Sequence, residues 1–184
     1  MNTASKRKTI KKLTSLSLFL AIGIILSIVE SMIPLPIPVP GVRLGLANTV
    51  GLVLLYIYSP KEYLYIGFLR VVMVGLLRTG LFSISFYLSL SGFVLSHLIV
   101  LILYYLNKFS IYGLSITAAL FHGVGQMITV MFIYSTSGLI LYLPILMLSG
   151  IISGALTALI TSIFLIKVSP HLKIILEENI QKEC

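Results

Sequence analysis

Six stretches of this chain are apolar for so long that their surroundings, rather than their loops, decide what it can become. Runs bounded by proline, glycine or charge fall at about 13 to 33, 43 to 58, 63 to 81, 84 to 106, 111 to 135 and 138 to 168. Apolar stretches of roughly 18 residues or more are long enough to cross a bilayer core as helices. Of the 184 residues 58% are hydrophobic and only 10% charged, too little polar surface to coat a soluble globule. The expected fold is an all-α integral membrane protein of six transmembrane helices. Its parts are a basic N-terminus (1–12), a transmembrane domain (13–168) and a C-terminal tail (169–184). The second run is short, spanning ~24 Å as a helix, so it crosses a thinned or protein-buried region or begins as a re-entrant loop. The sixth is long and reads as a loop followed by a helix starting near Pro144, since proline suits the first helical position.

Charge sets the expected orientation. Lys6, Arg7, Lys8, Lys11 and Lys12 precede the first apolar run, and with the N-terminus inside they join Lys61, Lys108, Lys167, Lys173 and Lys182 on the inner side. Only Arg43 and Arg78 lie at outer ends, so both termini are expected in the cytoplasm of a multi-pass cell-membrane protein. The net charge of +8 is thereby a topology signal, and no nucleic-acid partner is expected. The first run is longer than a signal-peptide core and lacks an A-x-A-like cleavage site, so it is read as a retained helix. The proline-rich PLPIPVPG at 34–41 reads as a stiff outer connection, and the tail as a short amphipathic surface helix or frayed end.

Much chemistry is excluded. The chain has no aspartate, its acidic residues are Glu30, Glu62, Glu177, Glu178 and Glu183, and its one cysteine is Cys184. An Asp-rich magnesium site, a Ser-His-Asp triad and a CxxC motif are therefore absent. No phosphate-binding G-x-x-x-x-G-K-[ST] loop occurs. We expect no catalysis by the chain alone, and neither metal nor cofactor.

Ionisable or polar groups within spans cost several kcal/mol unless they face protein or water, so each is a candidate. Glu30, Arg43, Asn48 and Arg78 crowd the outer ends of the first three spans, and Arg70 sits about eight residues inside the third. Ser85, Ser89, Gly92 and Ser96 recur at helical spacing in the fourth with His97 beside them, and Ser115, His122, Gln126 and Thr129 form a stripe in the fifth. The functional reading is an outward-open cavity whose arginines outnumber its carboxylate, favouring an anionic or strongly polar ligand. Structural readings stand beside it: Arg43 and Arg78 snorkel to lipid phosphate, and Glu30 pairs with Arg43 to tie down the proline loop. His97 and His122 suggest an axial haem or quinone-binding pair, although a histidine on a membrane helix more often bonds a neighbouring serine or glutamine. Small residues at four-residue spacing, Ser17 and Ala21, then Gly23, Ser27 and Ser31, and in the sixth span Gly150, Gly154 and Ala158, mark seams for close helix approach. They serve internal packing or docking to another membrane subunit.

With PGVRLGLAN at 40–48, SLSGFVLS at 89–96 and AALFHGVGQ at 118–126, nearly the whole chain resembles a bacterial membrane family, heptaprenyl diphosphate synthase component I, also called the Gx transporter family. That family is similar in turn to the substrate-binding S components of energy-coupling factor (ECF) transporters. The resemblance implies an S-component-like bundle of six helices with a ligand pocket near the outer face. Carried over by position, it implies ligand roles for Arg43, Asn48, Ser91, Gly92, His122 and Gln126, with Glu30 ahead of the loop. Two positions depart from the pattern. An A-x-x-x-A docking signature is represented by Ser17 and Ala21, and Gly123 follows His122 where relatives often carry asparagine.

The ligand-binding candidates are Glu30, Arg43, Asn48, Arg70, Arg78, Ser89, Ser91, His97, His122 and Gln126, and the helix-docking candidates Ser17, Ala21, Gly150 and Gly154. The expected function is transport-linked binding of a small anionic or polar molecule. The partners this implies are membrane lipid, the small-molecule ligand and an ECF T subunit with its ATPase subunits. The alternative is a non-catalytic membrane subunit beside a prenyl diphosphate synthase, or in a quinone-linked redox assembly.

Overall fold

The computed structural model describes residues 3–32 and 45–168. The proline-rich connection, Arg43 and the tail from 169 lie outside the described residues. Among those described there are six α-helices and no strand: α1 (Thr3–Met32), α2 (Leu46–Ile57), α3 (Pro60–Val74), α4 (Ile84–Tyr105), α5 (Ile111–Tyr134) and α6 (Leu143–Lys167). The local chemistry of their ends is conventional. Ser83 and Ser110 cap α4 and α5 by accepting the N–H groups of Phe86 at 3.2 Å and Gly113 at 3.3 Å. Proline opens α3 and α6, where no hydrogen bond is lost. The segment expected as a loop before Pro144 is a 3₁₀ helix, Ser137–Tyr142.

Four elements are long and apolar enough to cross a membrane: Thr9–Met32, Ile84–Tyr105, Ile111–Tyr134 and Ser137–Lys167. By contrast, the 12 residues of α2 span only about 18 Å, and α3 has 15 residues before it widens into a π-helical turn, Gly75–Thr79. Short as it is, α2 holds the middle of the bundle. Its Val50, Val53 and Leu54 pack on Leu16 and Phe19 of α1 and Ile66 of α3. Its Leu52 and Leu55 pack on Tyr63, on Val100 of α4 and on Leu114 and Ala118 of α5.

The distribution of side chains suits lipid surroundings. Leu18, Ile25, Leu98, Ile128, Ile152 and Leu159 are exposed, whereas Glu30, Arg70, His97, Ser115, Gln126 and Thr157 are buried. In water so much exposed apolar surface would drive association.

Neighbouring helices are joined in two ways. A Cβ on Gly125 would stand 2.7 Å from the Ser91 carbonyl oxygen, and one on Gly154 2.7 Å from the Ile116 Cα. The backbones of α4, α5 and α6 therefore touch, and Ser115 adds a hydrogen bond to the Gly154 carbonyl at 2.7 Å. On the other side, polar side chains join α1, α2 and α3. Lys12 pairs with Glu62, which also accepts from Ser59, and Ser15 meets the Tyr58 hydroxyl at 2.6 Å. Partial burial works against ionisation of Glu62, but the hydrogen bonds from Lys12 and Ser59 outweigh it and hold the carboxyl below its ordinary range.

Candidate functional site

The site is organised by one glycine. Gly45, just ahead of α2, has φ +77°, a left-handed conformation that favours glycine. A side chain there would also meet Thr157 of α6, whose Oγ1 lies 3.0 Å from the Cβ position. In this posture the Gly45 N–H donates to the Glu30 carboxylate of α1. The Gly45 carbonyl accepts from the Thr157 hydroxyl at 3.1 Å and from the Asn48 N–H at 2.9 Å. Arg70 completes the arrangement from α3, donating through Nη1 to the Ala47 carbonyl and through Nη2 to Asn48 Oδ1 at 3.2 Å. Four helices thus meet at the first turn of α2. A carboxylate near a helix N-terminus also complements its partial positive charge.

Beside this knot lies a partly open cavity of about 90 Å³ to which all six α-helices contribute. A single enclosed water needs roughly 10–15 Å³ on this measure, so the space holds on the order of six to nine waters or one small organic molecule. Glu30, Ser31, Asn48, Arg70 and Arg78 form its polar side. Val71, Val74, Phe86 and Leu146 supply apolar lining, and Ser89, His122, Ser149 and Ser153 add further polar groups from α4, α5 and α6. Arg78 is exposed and stands at the mouth, donating to the Ser31 carbonyl at 3.2 Å. The π-helical turn that carries it is closed by the Gly80 N–H on the Gly75 carbonyl at 2.7 Å. Phe86 fills the space beside Gly75, where a Cβ would come within 2.6 Å of its ring.

The sequence candidates separate on this geometry. Glu30, Asn48, Arg70, Arg78, Ser89 and His122 come together on the one cavity, and Gly150 lines it while packing against Ala119 of α5. Gln126 is buried one turn beyond His122, its Nε2 3.2 Å from His122 Nε2 and its Oε1 without a protein partner among the described residues. Gly92 makes room for that imidazole, since a Cβ there would stand 2.7 Å from its Cε1. Ser91 donates to the Leu88 carbonyl at 3.1 Å and does not line the cavity.

His97 belongs elsewhere. It is stacked on Tyr63 at 4.2 Å between centroids, with Ser96 Oγ 3.2 Å from Nδ1, in a second cavity of about 20 Å³. The two histidines therefore line different cavities. Ser17 and Ala21 are exposed on α1, while Gly23 is buried against Arg70 and Ser27 and Ser31 line the larger cavity. Gly154 packs on α5. Arg43 lies outside the described residues.

Sequence reasoning missed Gly45 and Thr157, the two residues on which the knot turns. Gly45 lay inside the quoted PGVRLGLAN segment without a role. Thr157 belongs to a run of small and polar residues, Gly150, Ser153, Gly154, Thr157, Ala158 and Thr161, at helical spacing, and that spacing was its available signal.

A family model described as heptaprenyl diphosphate synthase component I matches residues 19–164. The chain belongs to that family. The match covers about four-fifths of the sequence and takes in every described residue that lines the cavity. The resemblance carried by the three sequence segments is thus to the right family. As component I, a member is by name one part of a synthase, and the name implies a partner synthase component. No curated protein and no solved structure matches the chain.

Proposed function

We propose that this chain is a membrane-embedded substrate-binding protein, S-component-like in its working, that takes a small anionic or polar ligand into the cavity beside α2. The observation that carries the reading is the cavity's charge: Arg70 and Arg78 face it with Glu30 as their one carboxylate among the described lining residues. In a membrane protein such groups mark ligand and ion sites more often than structural ones. Energy for transport comes from partners in this reading, an ECF T subunit and its ATPase subunits, because the chain has no nucleotide-binding loop of its own. Orientation follows the basic residues, with both termini cytoplasmic and the cavity mouth outward.

Native mass spectrometry of gently purified protein tests the proposal directly. A stoichiometric small molecule should be retained and should be lost or weakened tenfold or more in Arg43→Ala, three residues ahead of Leu46 in the sequence. Protein that retains and binds nothing defeats the reading. Cys184 tests the orientation, since it should resist impermeant thiol reagents in intact cells while a cysteine introduced at Ser137 reacts.

The family name supports a second reading, a non-catalytic membrane subunit beside a synthase that makes prenyl diphosphates. Co-purification separates the two. T and ATPase subunits favour transport, whereas a soluble synthase component, or bound quinone, favours the second.

A further inference from the structure

The two arginines of the cavity are differently committed. Arg70 is buried, with Nη1 and Nη2 both engaged on the first turn of α2. Arg78 is exposed at the mouth, and its hydrogen bond among the described residues is one 3.2 Å contact from Nη2 to the neutral Ser31 carbonyl. A guanidinium has five N–H donors and prefers a bidentate oxyanion to a lone carbonyl. Glu30 does not meet that preference: its Oε1 accepts from the Gly45 N–H, and no ion pair joins it to Arg78, both being described residues. The π-helical turn holds Arg78 over the opening, and such turns recur at functional sites. The lining beside it includes apolar side chains, Val74 one turn and Val71 two turns back on α3, Phe86 on α4 and Leu146 on α6.

From this pairing of one under-used cation with apolar lining we propose that the ligand is a short amphipathic anion, a phosphate or carboxylate on a small apolar body. Arg78 receives its charged group, exchanging the Ser31 carbonyl for the ligand's oxygens, while the body lies against Val71, Val74, Phe86 and Leu146. This deepens the substrate-binding reading and rests on it. The occupant is a soluble molecule with a short apolar body, matched to a cavity of about 90 Å³.

Hexyl phosphate is a suitable probe, with hexylammonium as a cation of the same shape, titrated by calorimetry against the full chain in a neutral maltoside. Hexyl phosphate should bind and raise the thermal midpoint, and hexylammonium should not. Arg78→Gln should weaken hexyl phosphate at least tenfold, Arg78→Lys should recover part of the loss because it restores charge without the planar fork, and Lys167→Gln at the far end of α6 should leave binding unchanged. Undiminished binding by Arg78→Gln, or equal binding of hexylammonium, would overturn the assignment. So would loss of hexyl phosphate binding when the protein is moved into discs containing phosphatidylglycerol, because a lipid headgroup would then own Arg78. A retained native ligand that is neutral or cationic, with no hexyl phosphate binding, sinks the anion class and spares the substrate-binding reading. No retained ligand and no probe binding sinks both.

Discussion

The wall of the cavity built by α4, α5 and α6 is closed backbone to backbone, whereas the wall built by α1, α2 and α3 is stitched by side chains. Gly125 and Gly154 let the first three helices approach until a single added Cβ would collide with main-chain atoms. The other three are held by Glu30 on Gly45, Arg70 on Ala47 and Asn48, Arg78 on Ser31 and Lys12 on Glu62. In lipid, close packing of small residues is a leading means of bringing helices together, and it leaves little polar surface to reorganise. A stitched wall differs, because each polar bond can be exchanged for a ligand's at modest net cost. The difference teaches that one side of the cavity is a fixed backing and the other is the side able to respond.

The strongest way to break that contrast is to crowd the fixed side. Gly154→Leu should cost about 3 kcal/mol or more, since the side chain must displace the α5 backbone rather than a rotamer, and size-exclusion profiles with thermal midpoints would report it. An unchanged midpoint would mean that α5 and α6 are not in backbone contact. Next in size is Arg70→Met. Deleting this buried donor leaves the Ala47 carbonyl and Asn48 short of a partner and should cost about 1–3 kcal/mol, read from the same melts. Glu30→Gln keeps an acceptor for the Gly45 N–H but removes its charge, so a loss of about 1 kcal/mol is expected. Helix cross-linking between cysteines placed on α1 and α6 would show whether the knot loosens.

The smallest effect belongs to the far end of the stitched wall. Lys12→Ala removes a half-exposed ion pair and should cost no more than about 1 kcal/mol. Its pH signature is more telling. The folded-state pKa of Glu62 lies below the ordinary 4.5. The stability it contributes is thus fully present above that value and is lost as pH falls through the lower folded value. Melts below pH 4.5 should therefore fall more steeply in wild type than in Lys12→Ala. Parallel curves would remove Glu62 from the account.

Legibility followed the same division. Apolar run lengths exposed the four long helices because the bilayer imposes a length that sequence must meet. The run starting at 43 reaches ahead of α2, which begins at Leu46, because an apolar run does not register the left-handed backbone angle at Gly45. Glu30, Asn48, Arg70, Arg78, Ser89 and His122 stood out because polar groups are rare in such runs, and they share the cavity. His97 and Gln126 stood out for the same reason, yet helical register turns them elsewhere: His97 onto Tyr63 and Gln126 into the packed interior. Gly45 was hidden because its value lies in a backbone angle, and Thr157 because hydroxyls are common in membrane helices and its partner is 112 residues away.

Arg70 and Asn48 line both cavities, so the spaces of about 90 and 20 Å³ meet at these two side chains. The depth to which a solute can penetrate therefore depends on where the Arg70 and Asn48 side chains lie. Rotamer changes need no domain motion, and even when hindered by packing they are small displacements compared with hinge or shear movements. Shortening Arg70 should therefore deepen the larger space toward His97, at the cost of the hydrogen bonds that tie α3 to the first turn of α2.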